Sequence, residues 1–362
     1  MTMNKTFLTS APTSKWARGV TLVELMIALT LGTVLLIGVV QVFTSNQHTF
    51  RINDNVGRLQ ENARTALDFI GRDVRAAGGM SCLRIPRDEL AQLAAGRLQT
   101  ESGSIRVIAD PPPPGGLALG EEIRGFDAGA YPVMGAGGDV VVAGTDGFRI
   151  GRLDDCGATL AGNLGPRNAN IQLGMSATAC NFQQQQVLVI TDCEKTDIFR
   201  VTNSPNPNGP VTLAHGIGSN TDNNLTKSYN ETAFVAAHIA RGYYISIRNG
   251  RRALMIDMGD GPNNPVLAEN VENMQILYGV DQTGDLSADA FVNAGAVADW
   301  SRVVAAQINL LMASDPASNL IPAPQTYAWL ADAALVPANV VAGDRRIYRT
   351  FSQTITLRNR AP

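Results

Sequence analysis

The feature that most constrains this chain is a long apolar stretch near its N terminus. From Val20 to Phe43 the sequence carries a single ionisable residue, Glu24. A helix of this length spans roughly 36 Å, which is enough to cross a bilayer core of about 30 Å. We therefore predict a membrane-spanning helix over residues 20–43. An ionised carboxylate in hydrocarbon is costly and is rarely kept without a partner or a role, so Glu24 needs an explanation.

The residues that precede the apolar stretch are basic. They include Lys5, Lys15 and Arg18 and contain no acid. Because positive residues are retained on the cytoplasmic side, we expect the leader in the cytoplasm and the rest of the chain outside. A secretory signal peptide is the alternative, but its apolar region spans about 7–15 residues and ends at a small-residue cleavage site. No such site follows Phe43. A plain single-pass anchor fits the length and leaves Glu24 without a role.

Residues 19–25, Gly-Val-Thr-Leu-Val-Glu-Leu, resemble the cleavage and methylation motif of type IV prepilins. The resemblance implies that a prepilin peptidase cuts between Gly19 and Val20 and methylates the new amino terminus at Val20. The family usually has Phe where Val20 stands. We hypothesise that Glu24 of one subunit neutralises the Val20 amine of another within a bundle of such helices. Two buried charges that are each costly alone are tolerated as a pair, and the pair fixes the register between subunits.

An amphipathic pattern follows the apolar stretch. Apolar residues recur mostly every three or four positions between residues 52 and 74. This spacing predicts that the helix continues over residues 44–78. Opposite charges at helical spacing, such as Glu61–Arg64 and Asp68–Arg72, indicate a solvated face on the other side. Gly78-Gly79 is a typical helix end.

Residues 79–362 are predicted to form a β-rich globular head. The Asn249-Gly250 pair between two apolar runs is a strong hairpin signal. Short strands joined by tight turns favour an antiparallel sheet, so the predicted fold class is α+β, with a long N-terminal helix packed on an antiparallel β-sheet head with long loops. Residues 110–116 and 162–176 are predicted to be loops. The predicted strands cover residues 140–142, 147–150, 187–190, 198–201, 241–247, 253–256, 274–280, 303–312 and 353–358.

The composition argues against several classes of function. The chain has 362 residues and a net charge of −3 from 29 basic and 32 acidic residues, and without a basic run we predict no nucleic-acid partner. The three histidines, His48, His215 and His238, form no recognisable metal pair. Neither a Gly-x-Ser-x-Gly elbow nor a phosphate-binding loop occurs. We therefore expect no enzymatic activity, no catalytic residue, no cofactor and no metal site. The acidic segments 257–261 and 281–285 lack the full ligand series of a calcium loop and are predicted to be turns.

The four cysteines follow the apolar stretch, on the side where disulfides persist. An even number suits two bridges, and four cysteines allow three pairings. We predict the pairing Cys180–Cys193 with Cys82–Cys156. The first bridge would staple a short loop-and-strand unit, and the second would tie the end of the long helix to the head.

Residues 192–202, 269–280, 344–351 and 357–360 resemble the PilW family of minor pilins. The resemblance implies a leader at residues 1–19 and a subunit that joins other minor pilins and the major pilin. Such subunits form an inner-membrane complex that primes pilus assembly, remain at the pilus tip and can present a PilY-type adhesin. We accordingly expect a head in the periplasm and later at the cell surface. The alternatives are a minor pseudopilin of a type II secretion system and a membrane-tethered periplasmic binding protein.

Overall fold

The computed structural model describes residues 19–79, 104–110, 122–134, 139–174, 180–206, 209–259, 264–315, 320–330 and 336–360. Residues 1–18 of the predicted leader lie outside the described residues, and so do Cys82 and most of the predicted loop at 110–116. The chain divides into two compact units, Met1–Asp54 and Asn55–Pro362, which are described separately.

The first unit contains the start of helix α1, which begins at Leu22 and ends, in the second unit, at Ala76. Its sequence favours a helix because Leu, Met and Ala are good helix formers and no proline interrupts them. Among residues 19–54, all are exposed except Gly32 and Ile52, which are half-buried. This part of α1 therefore has no packing partner among the described residues of its own unit.

The second unit begins with the rest of α1, which packs on the head through one face. A buried stripe recurs every three or four residues, as the amphipathic pattern predicts. Each fully buried Leu, Ile or Val side chain stabilises this contact by about 1.5–3 kcal/mol. The helix stops where Gly78 adopts a left-handed φ of 77°, a conformation that glycine reaches without strain. The buried residues are Leu59, Ala63, Ala66, Leu67, Ile70, Gly71, Asp73 and Val74.

The opposite face of α1 is charged, and two of its predicted ion pairs, Asp68–Arg72 and Glu61–Arg64, differ. Arg72 and Asp68 form an exposed pair at 2.6 Å. Glu61 and Arg64 form no ion pair with each other or with another residue in the described part of the chain. Their side chains line a groove that is treated below.

The head is built from strands that follow α1. In chain order these are β1 (Ile105–Val107), β2 (Ile123–Phe126), β3 (Gly147–Thr159), β4 (Ile171–Gln172), β5 (Val187–Thr191), β6 (Thr196–Arg200), β7 (Thr212–Leu213), β8 (Phe234–Arg248), β9 (Arg251–Asp257), β10 (Val266–Glu269), β11 (Val271–Val280), β12 (Ala290–Val292), β13 (Val303–Ala313), β14 (Thr326–Trp329), β15 (Ala338–Val341) and β16 (Tyr348–Thr356). Short 3-10 turns span Ala294–Ala296 and Trp300–Arg302.

The larger sheet has the strand order β1-β6-β5-β8-β3-β2, and β9 and β10 extend it beside β8. Strand β8 is the central strand of this sheet: β3 pairs with one of its edges, and β5 and β9 pair with successive parts of the other edge. The β8–β9 hairpin turns at Asn249-Gly250, where both residues have positive φ angles of 52° and 74°. This is the turn that the sequence predicts. The pairing of β1 with β6 is parallel, and the other pairings are antiparallel.

The second sheet has the antiparallel order β12-β11-β13-β16. Asp146, just before β3, joins it to the larger sheet: its amide donates to Met274 O at 2.8 Å, and its carboxylate accepts from the Ile276 amide at 2.9 Å. Small antiparallel pairs, β4 with β7 and β14 with β15, complete the described sheets. The α+β prediction, a long apolar helix followed by a mostly antiparallel sheet region, is confirmed.

Two local predictions are wrong. Residues 140–142 do not form a strand. Val141 makes only an isolated bridge to Ser246, because the chain turns at Gly144, whose φ is 73°. The predicted loop at 162–176 contains strand β4, which finds its partner β7 about 40 residues later.

The predicted disulfide pairing is also wrong. Cys156 is bonded to Cys180, with their Cα atoms 5.4 Å apart. Both cysteines pack against the same apolar cluster, and Cys156 lies where the register of β3 shifts between Asp154 and Ala158. Cys193 instead occupies the tight turn between β5 and β6 and is itself disulfide-bonded. The Cys156–Cys180 bridge excludes both Cys180–Cys193 and Cys82–Cys156.

Candidate assembly site

The start of α1 is closed by a reciprocal pair of hydrogen bonds between Thr21 and Glu24. The Glu24 amide donates to Thr21 Oγ1 at 3.2 Å, and the Thr21 amide donates to Glu24 Oε2 at 3.4 Å. This capping box satisfies backbone N–H groups that lack a partner in the first helical turn. It also holds the carboxylate beside the peptide that follows Val20. The Thr-x-x-Glu spacing is the sequence signal for this role, and the sequence reasoning missed it.

The surface that follows Glu24 is apolar on every side of the helix. Each of the large apolar side chains from Val20 to Phe43 is at least 54% exposed. Surfaces of this size on soluble proteins mark contacts with a membrane or a partner. Within the described residues, α1 is the helix that is long and apolar enough to cross a membrane. It fits a single membrane anchor.

A buried carboxylate, Asp73, holds the last part of α1 on the larger sheet. Its Oδ2 accepts from the Tyr243 hydroxyl at 2.5 Å and lies 3.3 Å from Arg241 Nη1. Its Oδ1 lies 3.4 Å from Arg152 Nε. Only 9% of its side chain is exposed, so the two guanidinium groups offset the cost of burying the charge. Together with burial of the ring, this carboxylate raises the pKa of Tyr243 far above its ordinary value.

The C-terminal residues hold the end of the same helix. Asn359 Nδ2 donates to Ala77 O at 3.0 Å. Arg360 is buried, forms an ion pair with Glu122, and donates to Trp300 O at 2.5 Å. Ala77, the residue that follows α1, is therefore bonded to a residue that lies 282 positions later in the chain. Neither Asp73 nor Arg360 was singled out from the sequence.

The histidines occupy ordinary positions in the described structure. His48 is exposed on α1. His215 is 2% exposed, and its Nε2 lies 3.0 Å from Ala169 O. Burial lowers the pKa of His215 and lowers that of His238 to about 4. No cluster of three or more potential metal ligands occurs within the described residues.

The carboxylates of the two acidic segments accept hydrogen bonds from other groups of the protein. Asp281 accepts from the amides of Gly284 at 2.6 Å and Leu286 at 2.8 Å. Asp257 accepts from the Met134 amide at 2.5 Å and the Tyr131 hydroxyl at 3.0 Å. The bonds to Asp281 are local, as in a turn, whereas these two bonds to Asp257 come from residues more than 120 positions earlier in the chain. Residues 260 and 261 of the first segment lie outside the described residues.

Comparison with known proteins adds one finding. Residues 242–359 match a family model described as Type IV Pilus-assembly protein W. No curated protein and no solved structure gives a significant match to the chain. The matched region begins within β8, includes Tyr243 and ends at Asn359, so it contains residues that hold the end of α1. It does not include α1 itself, Glu24 or the segment that resembles the prepilin motif.

Proposed function

We propose that the chain is a minor pilin, because the match of residues 242–359 supports its assignment to the PilW family and so to a role in type IV pilus assembly. PilW proteins are structural components of pilus assembly, and interactions with other pilus components follow from that role. The observation that carries the proposal is this match in the same chain as an unpartnered apolar helix.

The N terminus of the mature subunit is the first part of the proposal. The prepilin peptidase cuts between Gly19 and Val20 and methylates Val20. Both residues precede the first helical residue, Leu22, and are exposed. The peptide to be cut therefore lies just outside the helix, without helical hydrogen bonds to break first. The leader at residues 1–19 stays in the cytoplasm because of its basic residues.

Glu24 then has two roles that follow one another. Before assembly, its carboxylate caps its own helix through Thr21. In the assembled bundle, the same carboxylate pairs with the Val20 amine of a neighbouring subunit. An amine and a carboxylate in an apolar environment attract each other strongly, because each alone is costly to bury. The pair fixes the axial register of the helices, and the buried face of α1 fixes the head on its own helix.

The position of the subunit completes the proposal. The head lies in the periplasm while α1 anchors the chain in the inner membrane. The subunit joins other minor pilins in a complex that primes assembly of the major pilin. It then remains at the pilus tip, where it presents a PilY-type adhesin. A large loop-rich head suits a tip position better than one repeated along a thin filament.

Two substitutions at Glu24 test the assembly role. Glu24→Gln keeps a side-chain oxygen for the Thr21 amide and removes the charge, since Gln also completes a capping box. Glu24→Ala removes both. If the ion pair drives assembly, both variants insert in the membrane and both lose pili to a similar extent. Normal piliation with Glu24→Gln and loss with Glu24→Ala would assign Glu24 to helix capping alone and defeat the ion-pair mechanism. Normal piliation with both variants would defeat any role in assembly.

A further inference from the structure

Strand β16 has no neighbour on one side among the described strands, and its register shows which backbone groups point to that side. Leu357 N donates to Val304 O, and Ser314 N donates to Ile347 O, both at 2.9 Å. The pairing with β13 between these two bonds runs without a shift. Because successive residues of an antiparallel strand direct their N–H and C=O groups to opposite sides, Phe351 and Gln353 face β13. The backbone groups of Tyr348, Thr350, Ser352 and Thr354 point away from it.

The chain itself covers the first of these outward positions. The Tyr348 amide donates to Gln325 Oε1 at 3.0 Å, and Gln325 Nε2 donates to Tyr348 O at 3.0 Å. The side-chain amide of Gln325 thus supplies the donor and the acceptor that a neighbouring strand would supply. Beyond it, the outward groups of Thr350, Ser352 and Thr354 have no partner within the described residues.

One of these residues, Ser352, lines a groove between β16 and α1. The groove has a volume of about 660 Å³, and its lining includes Phe351 and Ser352 of the strand and Leu67 and Arg64 of the helix. A strand added beside β16 at Ser352 would therefore border the groove that Leu67 and Arg64 line. Open strand edges are normally covered or blocked by charged side chains. Here the exposed strand residues whose backbone groups face outward are the uncharged Thr350, Ser352, Thr354 and Thr356.

On the helix side of the groove, one charged residue is in an ion pair with a described residue and two are not. Asp68 is neutralised by Arg72 at 2.6 Å. Arg64 and Glu61 form no ion pair within the described part of the chain. An arginine in a groove suits a carboxylate, which its guanidinium group binds with two parallel hydrogen bonds.

We propose that an extended segment of another pilus subunit binds in this groove as an added strand of the β12-β11-β13-β16 sheet. Its main chain pairs with Thr350, Ser352 and Thr354, and an acidic side chain of the segment binds Arg64. Strand addition to an open edge is a common mode of peptide recognition, in which the main chain gives affinity and side-chain pockets give specificity. The choice of a pilus subunit as the partner rests on the proposed function.

Hydrogen exchange gives a readout that this arrangement alone predicts. The full-length chain is compared alone in detergent and in the complex that it forms when co-expressed with the other minor pilins and the major pilin. Exchange at the amides of Thr350, Ser352 and Thr354 should slow roughly tenfold or more in the complex. Exchange at Phe351 and Gln353 should not change, because these amides already donate to β13. Equal slowing at all five amides, or none at the outward three, would overturn the proposal.

Two variants test the binding itself. Ser352→Pro removes one outward donor and keeps the main-chain bonds to β13, and prolines are tolerated at sheet edges. It also removes the side-chain bond from Gln307 Nε2 to Ser352 Oγ at 3.2 Å, so Ser352→Ala, which loses only that bond, is the matched control. Arg64→Glu reverses the charge on the helix side of the groove and leaves the strand intact. Ser352→Pro and Arg64→Glu should each lower the amount of co-purified pilus subunit by about tenfold. Arg358→Glu, which reverses an exposed charge outside the groove, should have no effect.

The outcomes separate this inference from the proposed function. A chain that co-purifies with no pilus subunit contradicts both. Normal co-purification of Ser352→Pro and Arg64→Glu contradicts the strand-addition site and leaves the pilus role intact. A cross-link from a photoreactive residue at position 352 to a second copy of this chain, rather than to another subunit, would contradict the identity of the partner.

Discussion

Replacing Asp73 by Ala should destabilise the head far more than replacing its neighbour Asp68. Asp73 contacts Tyr243, Arg241 and Arg152 at 2.5, 3.3 and 3.4 Å. The two arginine side chains are 19% and 16% exposed, so water replaces the lost carboxylate only in part. Removing one partner of a buried ion pair costs about 3–5 kcal/mol.

The expected shift in melting temperature follows from the size of the second unit, Asn55–Pro362. An unfolding entropy of about 2.1 cal/mol/K per residue over roughly 300 residues gives about 0.6 kcal/mol/K. A loss of about 4 kcal/mol then lowers Tm by roughly 6 °C. Asp68→Ala is the matched control on the same helix. Its pair with Arg72 is exposed, with side-chain exposures of 54% and 73%, and such pairs contribute only about 0.5 kcal/mol or less.

The assay is unfolding of the full-length chain in detergent, followed by the fluorescence of Trp300 and Trp329, which are both buried in the head. Tyr243→Phe removes one donor and should cost about 1–2 kcal/mol. The double variant with Asp73→Ala should cost less than the sum of the two, because both changes remove the same hydrogen bond. Equal stabilities for Asp73→Ala and Asp68→Ala would refute the argument that Asp73 secures the helix.

Three further predictions concern the head. A Cβ at Gly242 would clash with the Tyr131 hydroxyl, whereas one at Gly162 meets nothing within 4 Å. In chemical unfolding, Gly242→Ala should therefore lower the stability by about 1–3 kcal/mol, and Gly162→Ala should leave it nearly unchanged. Equal effects of the two variants would contradict this packing. Replacing Cys156 and Cys180 by Ser opens a loop of 24 residues and should cost about 3 kcal/mol; unchanged stability would argue against the bridge. Burial lowers the pKa of His238 to about 4, so the unfolded chain binds its proton first and stability falls as pH drops from about 6.5 towards 4. His238→Gln should reduce this loss of stability by about 1–3 kcal/mol. His48→Gln, at an exposed histidine, is the control, and identical pH profiles of stability for the two variants would contradict the prediction.

The sequence predicts the parts of the fold that depend on local pattern. The apolar stretch, the buried stripe from Leu59 to Val74 and the Asn249-Gly250 hairpin are all encoded in neighbouring residues, and the structure has them. The Thr21–Glu24 capping box is local too, and its spacing was a usable signal.

Features that depend on distant partners were not predicted. In the sequence, Asp73 looks like any other charged residue of an amphipathic helix. Its role depends on Tyr243, which lies 170 positions later in the chain and contacts it only in the folded structure. Strand β1 was not predicted for the same reason. It contains the charged residue Arg106, which is buried only because it pairs with the distant Asp222. The Cys156–Cys180 bridge depends on the register shift within β3, which no local pattern reveals.

The most direct test of the proposed pilin role is the intact mass and N-terminal sequence of the chain, extracted from membranes that contain an active prepilin peptidase. The account predicts a mature chain that begins at Val20 and is heavier by one methyl group. A chain that retains its first nineteen residues would contradict it.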